Sequence, residues 1–378
     1  MKTEIIDVSG LTDEVWRKAR DRRDREALET AGGALLKIYR AAEILKKGGL
    51  VVFPTETVYG IGANAFDEEA IRRIYQAKGR PIDNPMIVHI ARASDTGLLA
   101  ESLPPAFVKL ADAFWPGSLT MVLKKRAEVP GCVTGGLDTV GIRMPDSPVA
   151  LELIKLAGTP VAAPSANLSG GPSPTKAAHV IQDLDGKVDL ILAGPDCRVG
   201  IESTVVDMTV SPPGILRPGF ITKEDIEGVL GTPVELHHSL LKTKMEPKGD
   251  ERSDSSVLQR SGSDVPPGAE APRSPGMKYR HYAPRAKMLV VEGTRARVCA
   301  EIGRLKALNE GLGQSVGVLL FEERDYIKAA HDFYSELRDL DERGVDLIIA
   351  GALPETDGVG FAVMNRMLKA AGYNVVRV

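Results

Sequence analysis

The segment Val51-Val-Phe-Pro-Thr-Glu-Thr-Val-Tyr-Gly60 decides the interpretation of this chain, because an apolar run passes directly into a cluster of small polar residues. The apolar part predicts a buried strand, and the polar part places hydroxyl and carboxyl groups at its end. Downstream, Lys78-Gly-Arg-Pro81 and Asn84-Pro-Met-Ile-Val-His89 add two cations and an imidazole. Together these features predict a site for an anionic ligand at a strand end.

Composition sets the broad class. The chain has 378 residues, of which 43% are hydrophobic, and this is enough for two domains with their own cores. A formal net charge of −3 at pH 7 predicts no general attraction to nucleic acid. Cys132, Cys197 and Cys299 lack the C-x-x-C spacing of zinc sites. Without a leader-like segment or an apolar run of about 18 residues, a cytoplasmic protein without membrane contact is predicted.

Residues 1–240 predict a first domain of the α/β class. Short β-rich runs such as Met86–Ile90 alternate with helical patterns such as Glu68–Ala77, which predicts a mixed, twisted sheet. Ahead of the first strand, two separate helical stretches are predicted, Asp13–Thr30 and Ala34–Lys47.

The stretch Gly60-Ile-Gly-Ala-Asn-Ala65 matches a relaxed dinucleotide-binding pattern. It lies beyond the end of the predicted strand instead of on a strand-to-helix turn, where a pyrophosphate would bind. The chain also has no G-x-x-x-x-G-K-[ST] motif. A bound nucleotide would therefore be held by some other arrangement.

Residues 241–284 predict a flexible linker. Lys242–Gly276 contains six basic and six acidic residues with frequent Pro, Gly and Ser, so burial of apolar surface cannot offset the entropy of ordering. Residues 285–378 then alternate strand and helix patterns and finish on a strand. This predicts a smaller, Rossmann-like parallel α/β domain with three crossovers.

Cations and small polar groups recur at the predicted strand ends. They are Lys78, Arg80, Arg143, Pro164–Ser173, Ser203-Thr204 and Arg217. Taken singly, each has an ordinary explanation as a solvated charge or a turn. Their shared placement favours one cleft, because strand ends converge in an open α/β sheet. Lys78 and Arg80 flank a glycine turn, so we expect a surface position and a cost of at most about 1 kcal/mol for replacement by alanine.

Six ordered motifs resemble the signature of the YrdC-like threonylcarbamoyl-AMP synthases. They are Pro54–Gly60, Lys78–Pro81, Phe114-Trp-Pro-Gly-Ser-Leu-Thr120, Val140-Gly-Ile-Arg-Met-Pro145, Pro164-Ser-Ala-Asn-Leu-Ser-Gly170 and Glu202-Ser-Thr-Val205. The segment Gly276–Pro284 and the Rossmann-like domain after it resemble the two-domain branch of that family. The resemblance implies a YrdC-like twisted mixed sheet with an anion-binding cleft.

The resemblance also implies a reaction. L-Threonine, bicarbonate or CO2 and ATP would give threonylcarbamoyl-AMP and pyrophosphate, and other proteins would transfer the product to tRNA to form threonylcarbamoyladenosine. Strong direct tRNA binding is not expected of a chain with this charge. Mg²⁺ is expected to accompany ATP, because the motifs contain no carboxylate cluster for a dedicated metal site.

The resemblance assigns roles to particular residues. The catalytic residues would be Lys78, Arg80, Ser165 and Asn167. ATP would be bound by Arg80, Asn84, Thr139, Ser165, Ser173, Arg217 and His281. Threonine would be bound by Thr57, His89, Arg143, Ser203 and the backbone at Ala163. For His89 a hydrogen-bonded core histidine remains an alternative.

The segment Met277-Lys-Tyr-Arg-His-Tyr-Ala-Pro284 combines aromatic rings, an imidazole and two cations. We expect it to act as a lid over ATP, with His281 in contact with the nucleotide. The alternative is that these residues only dock the second domain.

Two other functions share the same core. A double-stranded RNA-binding protein would need a basic groove, which the overall acidity disfavours. A carbamoyltransferase of the hydrogenase-maturation type would carry C-x-x-C pairs, which this chain lacks. Pyrophosphate release that depends on threonine and bicarbonate would distinguish a synthase from both.

Overall fold

The computed structural model describes residues 2–21, 24–241, 281–354 and 358–378. In the first domain the strands are β1 Glu4–Asp7, β2 Val51–Phe53, β3 Gly60–Asn64, β4 Ile87–His89, β5 Leu119–Lys124, β6 Thr139–Arg143, β7 Val161–Ala162, β8 Leu190–Ala193, β9 Thr204–Asp207, β10 Gly214–Arg217 and β11 Glu235–Leu236. The helices are α1 Asp13–Arg20, α2 Arg25–Lys46, α3 Glu68–Lys78, α4 Pro105–Phe114, α5 Gly131–Thr134, α6 Pro148–Ala157, α7 Ala177–Leu184, α8 Lys223–Leu230 and α9 His238–Leu241, with a 3-10 turn at Ala93–Leu98.

Within the described ranges these strands form one sheet in the order β1-β8-β2-β3-β7-β4-β6-β5-β9-β10-β11. The pairing is mixed, since β2 is parallel to β8 and antiparallel to β3. Alternate residues of β2 enter different cores: Val52 packs with Ile61, whereas Val51 and Phe53 pack beside Leu153 of α6. The prediction of a twisted mixed sheet for the first domain is confirmed.

The N-terminal helices differ from the sequence expectation. The break falls between Arg20 and Arg25 instead of after Thr30, and the pair Gly32-Gly33 lies inside helix α2. Ala27, Ala31, Ala34 and Ile38 form a buried stripe along this helix. Packing of that stripe outweighs the low helix propensity of two glycines.

The glycine-rich stretch Gly60–Ala65 is not a nucleotide-binding loop, because most of it forms strand β3, antiparallel to β2 and β7. A Cβ at Gly62 would lie 2.7 Å from Cε1 of Phe53 and 2.7 Å from Cγ1 of Val161. Glycine is therefore needed here for the close approach of two chain segments. Strand β1, which the sequence patterns did not predict, pairs in parallel with β8 from Glu4↔Leu190 onward.

The second domain comprises β12 Lys287–Glu292, α10 Arg295–Gly311, β13 Val316–Leu319, α11 Tyr326–Glu342, β14 Leu347–Gly351, α12 Val359–Ala370 and β15 Val375–Arg377. These strands form an all-parallel sheet in the order β13-β14-β12-β15. The predicted Rossmann-like domain is confirmed. Residues 242–280, which contain most of the predicted linker, lie outside the described residues, so the proposed boundaries stay a prediction.

One apolar cluster belongs to both domains. Val58 and Ile201 of the first domain share it with Phe333 and Tyr334 of α11 and with Val363 of α12. The packing places helices α11 and α12 beside the loops that follow β2 and precede β9. Side chains of the second domain can therefore reach the strand ends of the first.

Candidate functional site

A cleft with a cavity volume of about 60 Å³ lies at these strand ends. Many of the residues singled out in the sequence line it: Thr57, Arg80, His89, Arg143, Ala163, Ser165, Ser203, Arg217 and His281. Other predicted site residues lie beside the cleft or behind its wall: Lys78, Asn84, Thr139, Asn167 and Ser173. Motifs that are far apart in the chain thus meet at one place.

The loop after β2 is shaped by its own hydroxyl groups. Thr55 Oγ1 accepts hydrogen bonds from the backbone N–H groups of Thr57 and Val58, both at 3.2 Å, and donates to the Val58 carbonyl at 2.6 Å. This local network turns the chain tightly. It directs Thr57 toward Arg143, whose Nη1 donates to Thr57 Oγ1 at 2.8 Å.

Arg143 is held by a carboxylate that sequence reasoning did not assign a role. Its Nη2 lies 2.6 Å from Oε1 of Glu56, and both side chains are almost fully buried. Its Nε also donates to the Gly117 carbonyl at 3.1 Å. The guanidinium is thus fixed in orientation at the cleft wall before any ligand enters. The sequence did contain a signal for Glu56, because it is an acidic residue in a segment of otherwise apolar and hydroxyl-bearing residues.

Lys78 and Arg80 are buried, so the expected surface position is wrong and the low cost of substitution loses its reason. Gly79, with φ of 61°, ends helix α3 and allows the chain to turn inward. Lys78 Nζ donates to the carbonyls of Ser165 and Asn167. Burial, reinforced by the nearby charge of Arg80, lowers the pKa of Lys78 well below its usual range.

Arg80 lines the cleft with its guanidinium anchored from behind. Its Nη2 donates to the Pro85 carbonyl at 2.7 Å, and its Nε donates to the Asn84 carbonyl at 3.3 Å. Burial lowers the pKa of Arg80 to about 10, so it stays cationic at neutral pH. Asn84 therefore contributes to the site through its backbone, by orienting this guanidinium.

The loop after β7 is rigid. Ser165 Oγ donates to Asn167 Oδ1 at 2.6 Å, and Asn167 Nδ2 donates to the carbonyls of Leu168 and Gly171 at 2.7 and 2.9 Å. Lys78 holds the same loop from below. Ser165 and Arg80 line the cleft, whereas Lys78 and Asn167 support the Ser165 loop. The predicted catalytic residues thus divide into a lining pair and a supporting pair.

His89 ends strand β4 and lines the cleft beside Arg143. Burial, with the nearby Arg143 charge, lowers the pKa of His89 to about 3. The imidazole is therefore neutral at physiological pH. Its Nδ1 is fully buried and has no hydrogen-bond partner among the described residues, and both the threonine-binding role and the core-histidine alternative stay predictions.

Ser203, which precedes strand β9, and Arg217, which ends strand β10, form a second polar group. Arg217 donates from Nε to the Ser203 carbonyl at 3.0 Å and from Nη2 to Ser203 Oγ at 3.2 Å. Thr120 Oγ1 lies 2.8 Å from the same hydroxyl. Thr139 lines a smaller neighbouring pocket. Burial lowers the pKa of Arg217, which lines the cleft beside Ser203.

The segment just ahead of the second domain lies along one side of the cleft. His281 and Tyr282 both line it, and the backbone N–H of Ala283 donates to the Gly170 carbonyl at 2.8 Å. Burial, with the Arg80 charge, lowers the pKa of His281 to about 3. Residues 277–280 of the expected lid lie outside the described residues.

Neither a metal site nor a membrane-spanning helix is found in the part of the chain that the structure describes. The described residues hold no group of three or more His, Cys, Asp or Glu side chains that could bind a metal ion. Likewise, no described helix is long and apolar enough to cross a bilayer.

Two family models match successive parts of the chain. Residues 43–219 match a model described as telomere recombination, and residues 221–372 match the C-terminal domain of threonylcarbamoyl-AMP synthase. The threonylcarbamoyl-AMP synthase of Pyrococcus abyssi is 45% identical over 352 residues, which cover 90% of this chain and 96% of that protein. Its counterpart in Bacillus subtilis is also 45% identical, over 358 residues, 90% of this chain and 94% of the relative.

A solved structure covers the same architecture. The crystal structure of Pyrococcus abyssi Sua5 in complex with L-threonine matches with a TM-score of 0.83 and 42% identity, over 100% of both chains. A large mixed sheet with a cation-lined cleft and an appended Rossmann-like sheet defines a two-domain α/β protein of the YrdC-like class. With relatives of this identity and coverage, the chain belongs to the threonylcarbamoyl-AMP synthase family. These relatives support neither the RNA-binding nor the carbamoyltransferase alternative.

Proposed function

We propose that this chain joins L-threonine, bicarbonate or CO2 and ATP into threonylcarbamoyl-AMP, with release of pyrophosphate. The observation that carries the proposal is the cleft itself, where the guanidinium groups of Arg80, Arg143 and Arg217 line one space with the hydroxyls of Thr57 and Ser203. Such a set suits a ligand pair that carries a triphosphate and carboxylates. The threonine-bound relative with the same fold supports the amino-acid half.

The chemistry needs positioned donors more than a nucleophilic side chain. The neutral threonine amine bonds through nitrogen to the carbon of CO2 and releases a proton, and an oxygen of the resulting carbamate attacks the α-phosphorus as pyrophosphate leaves. Negative charge accumulates on phosphate and carboxylate oxygens in these steps. Fixed cations and N–H or O–H donors in a cleft that excludes water are therefore the expected source of acceleration.

Threonine would occupy the side of the cleft lined by Thr57, His89, Arg143, Ala163 and Ser203. Arg143, already oriented by Glu56, would pair with the threonine carboxylate. His89 lines the same side and would present a neutral imidazole to the ligand.

ATP would occupy the side with Arg80, Ser165, Arg217 and His281, while Ser173, Thr139 and Asn84 support that wall. Arg80 and Arg217 would face phosphate oxygens as forked donors. Lys78 and Asn167 would hold the Ser165 loop in position. Mg²⁺ would enter as part of Mg·ATP and would shield the triphosphate charge when bound.

The proposal is tested by measuring pyrophosphate release by the full-length protein. Release should require ATP, L-threonine and bicarbonate together, and mass spectrometry should detect threonylcarbamoyl-AMP. Omission of threonine or bicarbonate is the internal control. Release that is independent of threonine, or a product without the threonyl group, would contradict the proposal. The product would then be passed to separate enzymes that modify tRNA.

A further inference from the structure

A carboxylate from the first domain is held by two side chains of the second domain. Glu202 Oε1 accepts hydrogen bonds from Ser173 Oγ at 2.5 Å and from Tyr334 Oη at 2.9 Å. Its Oε2 lies 3.2 Å from Nε of Arg366. Tyr334 belongs to helix α11 and Arg366 to helix α12, and both are fully buried. The second domain therefore supports the wall of the cleft through Glu202, which lines it.

Glu202 is the unusual member of that wall. Among the described residues that line the cleft, its carboxylate is the one acidic group, and three arginines line the same cleft. Burial opposes its ionisation, but the charges of Arg366 and Arg217 and the Ser173 hydrogen bond outweigh burial and lower the pKa of Glu202. The cleft therefore contains a negative charge although its arginines are suited to binding anions. The presence of this charge needs a physical explanation.

The surrounding contacts supply that reason. Glu202 fixes Ser173, and the next residue, Ser203, accepts both hydrogen bonds from Arg217 described above. Arg366 also donates to two backbone carbonyls, that of Glu202, which precedes Ser203, and that of Pro218, which follows Arg217. The same guanidinium thus fixes two backbone segments and neutralises the carboxylate between them.

We propose that Arg366 and Tyr334 are positioning residues that hold Glu202 in a charge-neutral clamp, so that the side of the cleft lined by Ser203 and Arg217 presents a net positive surface to the triphosphate of ATP. This inference rests on the proposed function, because ATP is the anion concerned. It assigns to the second domain a role in the affinity for ATP. Threonine is a zwitterion without net charge, so its binding should depend much less on the clamp.

The test compares variants of the full-length protein by isothermal titration with α,β-methylene-ATP and, separately, with L-threonine. Arg366→Met leaves Glu202 uncompensated, and the dissociation constant for the ATP analogue should rise by about tenfold or more, with a change of less than about threefold for threonine. Arg366→Lys keeps the charge and should retain most of the affinity that Arg366→Met loses.

The double variant Glu202→Gln/Arg366→Met removes both charges and should recover at least half of the lost affinity on a logarithmic scale. Tyr334→Phe removes one neutral hydrogen bond and should have a smaller effect than Arg366→Met. The matched control is Arg377→Met, because Arg377 also pairs with a glutamate of the second domain, Glu292 at 3.0 Å, but on the exposed surface. It should leave both affinities unchanged.

Each outcome decides the inference. Selective loss of ATP-analogue binding with recovery in the double variant supports the clamp, and so does a double variant that folds when Arg366→Met does not. Equal weakening of both ligands, no recovery in the double variant, or failure of both variants to fold would show that Arg366 acts only through packing. Pyrophosphate release by the wild type tests the proposed function separately, since the binding ratios need no turnover.

Discussion

Replacement of Arg143 by methionine should destabilise the protein far more than loss of an arginine usually does. The substitution would leave Glu56 as a buried carboxylate without its ion-pair partner, and Glu56 Oε2 already has no hydrogen-bond partner among the described residues. The bond from Arg143 to Thr57 would also be lost. Removing one member of a buried ion pair costs about 3–5 kcal/mol.

For a domain of this size, that loss corresponds to a fall in the melting temperature of about 6–20 °C. Circular dichroism during heating measures it directly. The control Arg126→Met breaks an ion pair with Glu128 at 3.2 Å whose side chains are about half exposed, and it should cost less than about 1 kcal/mol. The double variant Glu56→Gln/Arg143→Met should recover most of the lost stability, because no unpaired charge remains.

The double variant also separates stability from binding. If Arg143 holds the threonine carboxylate, this variant should still show a KM for threonine that is raised far more than the KM for ATP. A melting temperature of Arg143→Met within about 2 °C of the wild type would refute the account of the buried pair. Equal changes in both KM values would instead place Arg143 on the phosphate side.

Three further outcomes follow from buried groups at the site. Lys78→Met leaves the carbonyls of Ser165 and Asn167 without this donor, so the free energy of unfolding should fall by about 1–3 kcal/mol and synthesis should largely cease. The control Lys155→Met, on an exposed helix face, should change neither quantity. The pKa of His89 is about 3 in the folded protein, below the unfolded value of about 6.5, so the stabilising contribution of this residue is complete above pH 6.5 and is lost as pH falls. The stability difference between wild type and His89→Gln should therefore shrink by about 2 kcal/mol from pH 7 to pH 5. A pH-independent difference in urea titrations would contradict this. His281→Ala should lower kcat/KM for ATP by about tenfold without affecting threonine binding, and unchanged ATP kinetics would remove His281 from the nucleotide site.

The sequence alone determined the strand ahead of the polar loop, the helix that ends at Gly79, and the parallel second domain. Each depends on short-range features: a run of β-branched residues, a left-handed glycine, or a regular alternation of strand and helix patterns. The motifs also identified Arg80, Ser165 and Ser203, which do line the cleft. Local periodicity is sufficient for such features because neighbouring residues generate them.

Tertiary structure decided which charges are buried and how they are paired. Lys78 follows a surface-like pattern in the sequence, yet it is 3% exposed because the Ser165 loop folds over it. Glu202 and Arg366 meet although 164 residues separate them. No local pattern encodes such a contact, since it arises only when two domains pack and the low dielectric of the interface makes each charge depend on its partner. The residues of the cleft were therefore readable from the chain, whereas the ion pairs that orient them were fixed by the fold.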